Sequence, residues 1–210
     1  MLAFALMYVS VANAQNATSN PSYAGGNMTV KAKAYKPGWI SSDVAERSFY
    51  RAGYRIDSIR LLQPAPDEPY KSLTAKILAD AQKGETDFRS GKWIGFRGKS
   101  LEALLYFDTV HAISSVTVSN LIDIGGYIMP PQQVEVWAGN DAAHLRLVKK
   151  INPEQPAKVA ASYMKGYEIS FAAIKEKYVR LVVVPVSKLP VWHPGKGDKG
   201  WVFVDEIFLN

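Results

Sequence analysis

Residues 178–186 read YVRLVVVPV, a β-branched and largely apolar run that suits a mostly buried strand. Shorter segments of the same kind recur along most of the chain. Residues 28–35, MTVKAKAY, place Met28, Val30, Ala32 and Ala34 on one face and Thr29, Lys31, Lys33 and Tyr35 on the other. That period of two is the signature of a half-buried strand. Residues 44–50, 56–62, 101–107, 115–121, 133–137, 145–150, 167–171 and 201–209 are read as further strands, with Val116 and Val118 turned inward. Only residues 73–83 and 172–177 have helical character, and both are short. Many short strands separated by turns predict an all-β sandwich or jelly roll.

The 210 residues are 48% hydrophobic and 21% charged, which is a globular composition. The net charge is +6, but Lys and Arg are spread along the chain and only Lys149 and Lys150 are adjacent. A nucleic-acid surface wants a clustered stripe, so nucleic acid is not expected as a partner. The chain has no cysteine, which excludes disulfides and thiolate chemistry. A metal would have to use oxygen or histidine ligands. His111, His144 and His193 lack the spacing of a metal site, and no Gly-rich phosphate loop is present.

Three segments follow from this pattern. Residues 1–14 form a signal-peptide-like leader, apolar and closing on Ala12-Asn13-Ala14, with cleavage expected before Gln15. The run is too short to span a membrane, and it implies a bacterial protein that is periplasmic, cell-surface or secreted. A strand or helix of the fold is the other reading. Residues 28–50 supply a strand pair. Two strands cannot bury a core alone, so this pair packs on the main domain or is the remnant of a larger one. Residues 54–210 form the main sandwich.

A family resemblance enters through the run L-x-D-x-x-x-G-x-x-D-F-R-x-G-x-W-x-G-F, residues 78–96, and its continuation LEALLYFDTVHAISSVTV. Both resemble the discoidin (coagulation factor V/VIII type C) domain at the C-terminus of bacterial family 20 β-hexosaminidases. Residues 129–137 are similar to that family's P-x-x-V-x-V strand, and WHPGKGDKGWVFVDEIFLN to its closing loop and strand. Upstream, MTVKAKAYKPGWISSDVAERSFY resembles the end of the small β-sandwich module preceding this domain in chitobiases. The first half of that module has no counterpart. Ala79 and Ala81 stand where the family often has Thr and Gly. The resemblance implies a discoidin-like jelly-roll β-sandwich, with a short N-terminal strand pair from a truncated second β-sandwich.

It also implies a function. Such modules are non-catalytic accessories of β-N-acetylhexosaminidase-like glycoside hydrolases, and they bind glycans or serve as packing domains for a catalytic domain that lies outside this chain. Discoidin-like sandwiches often hold a structural Ca²⁺ between an early Asp loop and a Glu near the last strand. Here that set would be Asp80, Lys83, Glu85, Asp87 and Glu206, on a loop able to supply carboxylate and carbonyl oxygens. The ammonium of Lys83 or Lys99, paired with Glu206, is an alternative occupant. A sugar site needs an exposed ring for the pyranose face and polar partners for its hydroxyls. The candidates are Trp39, Tyr127, Trp192 and His193, with Arg97 as polar partner; the turn Trp192-His193-Pro194-Gly195 would present its ring best. Trp93 and Trp201 are expected in the core. Asp205 and Glu206 match the catalytic Asp-Glu pair of family 20 enzymes in residue type only. Neighbours in a strand point to opposite faces, so the pair is not expected to be catalytic.

Overall fold

The computed structural model describes residues 6–12, 27–35, 38, 40–42, 44–62 and 74–210. They divide into two compact units, Met1–Arg51 and Ala52–Asn210.

The first unit is an antiparallel sheet of three strands, β1 (Leu6–Ala12), β2 (Met28–Tyr35) and β3 (Ala45–Phe49), with β2 in the middle. The expected strand pair is therefore a triplet. The additional strand comes from the segment read as a leader, and Val9 lies opposite Ala32. Cleavage before Gln15 would remove β1 and leave β2 with an unpaired edge. On the other side Thr29 faces Ser48, and their hydroxyls lie 3.0 Å apart. Tyr35, Ile40, Val44 and Phe49 are exposed, so the described part of this unit does not close a core of its own.

The second unit is an all-β sandwich of two antiparallel sheets. Its strands are β4 (Ser58–Leu61), β5 (Ile94–Arg97), β6 (Leu101–Tyr106), β7 (Ile113–Ile122), β8 (Gln133–Gly139), β9 (Arg146–Ile151), β10 (Tyr163–Ile174), β11 (Tyr178–Val184) and β12 (Trp201–Leu209). One sheet runs β10-β7-β12-β5 and the other β4-β6-β11-β8-β9. The period-two pattern decides which side chains meet between them. Leu105, Val136 and Val179 of the five-stranded sheet share a core with Phe96, Val118 and Ile207 of the four-stranded one. The segment 172–177, which has helical character in sequence, instead carries the end of β10. Of 73–83 only a single 3-10 turn forms, Ala75–Ala79, capped by the Thr74 hydroxyl. Strand β5 hides in a stretch that reads as loop, because it is only four residues long and contains Gly95. A Cβ at Gly95 would come within 2.8 Å of the Phe203 ring, so the glycine keeps β5 close to β12.

A bulge in β12 organises the outer side of the four-stranded sheet. Val204 lies opposite Asn120 and Glu206 opposite Ser119, leaving Asp205 as the additional residue. Val202 and Val204 point into the main core before the slip, and Ile207 and Leu209 after it. Phe203 therefore faces outward, where it joins Trp93, Leu121 and Ile128 in a second apolar cluster. Segment 80–93 covers this face. The Trp93 indole lies against Gly84, where an added Cβ would fall 2.4 Å from the ring, and its Nε1–H donates to the Glu85 carbonyl at 3.0 Å. Trp93 is thus core, as expected, and Trp201 packs half-buried at the cluster's edge.

Trp93→Ala is predicted to cost about 3–5 kcal/mol of unfolding free energy, the range for deleting a buried large aromatic. Urea denaturation followed by circular dichroism measures it.

Candidate functional site

Two polar constellations emerge, one sealed and one open. The sealed one joins loop 80–84 to the bulge of β12. Ala81 adopts a left-handed backbone (φ 61°), and the N–H groups of the loop turn inward. Those of Asp80 and Gln82 donate to Glu206 Oε1 at 3.1 and 3.0 Å, and that of Gly84 donates to Asp205 Oδ2 at 2.7 Å. The Lys83 ammonium reaches Asp205 Oδ2 at 2.8 Å and also bonds the Ser119 hydroxyl. Asp205 is 0% and Glu206 1% exposed. The bulge brings both carboxylates under the same loop, which corrects the expectation that they face opposite ways. They remain unable to act on a substrate, because loop and lysine seal them from solvent.

Backbone donors thus line the carboxyl oxygens of Asp205 and Glu206. Burial, followed by the hydrogen bond and charge of Asp80, pushes the Glu206 carboxyl up to about 8.

The residues do not fit the calcium site implied by the resemblance. Asp80 does lie beside Glu206, but the loop presents N–H donors where a Ca²⁺ ion needs oxygens. Lys83 already supplies positive charge, and its partner is Asp205 rather than Glu206. Glu85 is exposed and pairs with Lys92 at 3.2 Å, while Asp87 accepts the Arg89 N–H within its own turn at 2.9 Å. Lys99 lies over the Phe96 ring at 5.9 Å. Among the described residues no three His, Cys, Asp or Glu side chains converge as a metal would require.

The open constellation lies at one end of the sandwich, on the loop between β11 and β12. Main-chain bonds tie this loop to itself: Leu189 N–H to the Asp198 carbonyl at 2.8 Å, Gly197 N–H to Leu189 at 3.0 Å and Gly200 N–H to Val186 at 3.0 Å. His193 is buried beneath it. Its Nε2 lies 2.6 Å from the Ile124 carbonyl, an obligate acceptor, so Nε2 carries the proton and Nδ1 accepts the Gly195 N–H at 2.9 Å. Both ring nitrogens are thus spent inside the protein. His193 is a pin for the loop rather than a sugar ligand, which corrects its place in the predicted set.

Trp192 and Tyr127 flank the pin, with ring centroids 5.7 and 5.1 Å from that of His193. Both are half-buried against the main core. Tyr127 has φ 70° and lies against Gly195, where a Cβ would come within 2.2 Å of its ring. Val191, beside Trp192, is 84% exposed. Arg97 is set apart from Trp192 in sequence but joins the same end. Its guanidinium lies 5.8 Å from the Trp201 ring centroid and its Nε–H donates to the Lys199 carbonyl at 3.5 Å. Trp201 N–H in turn donates to the Tyr127 carbonyl at 2.9 Å. Tyr127, Trp192 and Arg97 therefore share one end of the sandwich; Trp39 lies outside the described residues. Sequence reasoning missed Trp201, whose ring supports Arg97. The pairing of β5 with β12, Arg97 opposite Trp201, is what brings the two together.

No protein-family model and no curated protein matches the sequence. Solved structures are similar at low identity. The CBM32 module of AlyQ in complex with 4,5-unsaturated mannuronic acid is 14% identical, with TM-score 0.46, over 75% of this chain and 96% of that one. A CBM32 module from Clostridium perfringens in complex with GalNAc-β-1,3-galactose is 16% identical, with TM-score 0.45, over 72% and 93%. Chitosan-binding module 1 of a chitosanase/glucanase from Paenibacillus sp. IK-5 is 10% identical, with TM-score 0.48, over 77% and 99%.

Three predictions concern the sealed constellation. Lys83→Met strands a buried carboxylate and should cost about 3–5 kcal/mol, whereas a chelator should leave the wild-type melting temperature unchanged. A raised Glu206 carboxyl means that the folded state keeps a proton which the unfolded chain loses near its ordinary value of 4.5. Stability from this group is therefore full in acid, declines as pH rises from about 4.5 towards about 8, and is lost above that. Glu206→Gln keeps the oxygen that accepts both N–H groups and should flatten this decline. Urea midpoints of both proteins across that pH window check it.

Proposed function

We propose that the chain is a non-catalytic accessory module that binds carbohydrate at the Trp192 end of the sandwich. The observation that carries this reading is the pinned loop. His193 and the main-chain bonds hold the Trp192 turn in place beside Tyr127 and Arg97. A rigid aromatic next to fixed polar groups is what recognition of a sugar ring needs, since little ordering remains to be done on binding. The carboxylate pair that would suggest hydrolysis is sealed beneath loop 80–84 and serves the fold. The motif resemblance supports an association with β-N-acetylhexosaminidase-like glycoside hydrolases. The leader-like residues 1–14 and the lack of cysteine support a periplasmic, cell-surface or secreted place of action in a bacterium.

A second reading, a packing domain with no ligand of its own, is favoured by two observations. Trp192 and Tyr127 are half-buried rather than fully presented, and Tyr35, Ile40, Val44 and Phe49 are exposed in the first unit.

Titration calorimetry with chitin-type oligosaccharides and a panel of neutral and acidic glycans separates the two. Binding that weakens roughly ten-fold or more in Trp192→Ala, about 1.4 kcal/mol, with circular dichroism unchanged, is the expected result. Absence of binding across the panel would leave the packing reading.

A further inference from the structure

Lysine and arginine look scattered in the sequence, but the fold gathers a set of them around Trp192. Arg97 and Lys99 follow β5, and Lys188, Lys196 and Lys199 lie on the loop before β12. Pairing of β5 with β12 brings the two segments together. The Gly98 N–H donates to the Gly200 carbonyl at 3.1 Å, and Gly98 lies so close to the Lys199 stem that a Cβ would fall 2.4 Å from its Cδ. Lys196 N–H donates to the His193 carbonyl at 3.0 Å, directly behind Trp192. Leu189, next to Lys188, is bonded to Asp198, next to Lys199.

Residues 97–100 and 186–200 thus carry five cationic side chains and a single carboxylate, Asp198. Lys188, Lys196 and Lys199 are exposed, and none forms an ion pair with a described residue. Like charges held on a fixed loop repel one another, and a bound anion relieves that repulsion. The Arg97 guanidinium lies 5.8 Å from the Trp201 ring centroid, and a guanidinium is suited to a carboxylate or sulfate.

We propose that the Trp192 end is specific for an anionic glycan, a polysaccharide bearing carboxylate or sulfate groups. The ring of Trp192 takes a sugar face, and Arg97, Lys196 and Lys199 take the charges. This inference rests on the carbohydrate reading above and adds the class of sugar.

The test uses matched pairs of polymers with the full chain: polygalacturonate against its fully methyl-esterified form, and dextran sulfate against dextran. The pairs separate carboxylate from sulfate as the source of charge. A single-stranded oligonucleotide is the third probe, and a neutral chitin-type oligosaccharide the fourth. At least one charged polymer should bind roughly ten-fold or more tightly than its neutral partner. That preference should shrink between about 50 and about 300 mM salt. It should vanish in Arg97→Ala/Lys199→Ala and persist in Lys149→Ala/Lys150→Ala, which changes net charge equally but at strand β9. Equal binding of charged and neutral polymers would overturn the anionic class while leaving a carbohydrate site standing. Loss of preference in both double variants would show a bulk charge effect and overturn it as well. Oligonucleotide binding as tight as that of the best polymer would make the patch a nucleic-acid surface instead. No binding to any sugar would remove the carbohydrate reading along with this one.

Discussion

Asp205 and Glu206 have almost no contact with solvent, and two buried carboxyl groups are expensive unless hydrogen bonds, opposite charge or a retained proton compensate them. Loop 80–84 does so with three backbone N–H groups and the Lys83 ammonium. Much of the second unit depends on that contact. It ties a segment early in the sandwich to the last strand, more than a hundred residues away. It holds segment 80–93 down over Trp93, Phe203, Leu121 and Ile128. It also gives the bulge in β12 a purpose. Without the additional residue, the two carboxylates could not lie under one loop while Val202, Val204, Ile207 and Leu209 all reach the main core.

The same strand connects this anchor to the open end. Trp201 begins β12, stacks near Phe203 of the covered cluster, pairs with Arg97 and donates to the Tyr127 carbonyl. The loop bearing Trp192 enters β12 directly. A rigid last strand thus delivers a rigid loop, and His193 completes the arrangement by bonding across to Ile124. Buried polar groups here position surface groups, because fixed interior hydrogen bonds tie the loop to the sandwich.

The strands were legible in the sequence as alternating or continuous apolar, β-branched runs, and β2 and β12 match residue for residue, although β12 is buried on both faces. Features that depend on distant pairing were not. β5 is short and Gly-bearing, so it has no pattern of its own until β12 lies beside it. Alternation alone sends Asp205 and Glu206 to opposite faces, since a bulge leaves no mark in a single strand's residues. Trp93 could be assigned to the core, but the polarity of the loop above it could not. Acidic residues suggest a cation site, whereas the backbone N–H groups that set the actual polarity are invisible in side-chain types. His193 next to Trp192 looked like a ligand pair, and only the carbonyl of Ile124 shows that it is a pin. The cationic patch was hidden for the same reason, because Arg97 and Lys199 meet only through a β-bridge.

The proposed function requires the anchored sandwich to present one preorganised recognition end. Backbone amide shifts of the isotopically labelled full chain, followed during titration with an acidic oligosaccharide, test it most directly. Saturable shifts confined to residues 97–100, 125–128 and 186–200 are the expected result, with the amides of Asp80, Gln82 and Gly84 unmoved. Shifts centred on the outer face of either sheet, on the first unit or on loop 80–84 would contradict it.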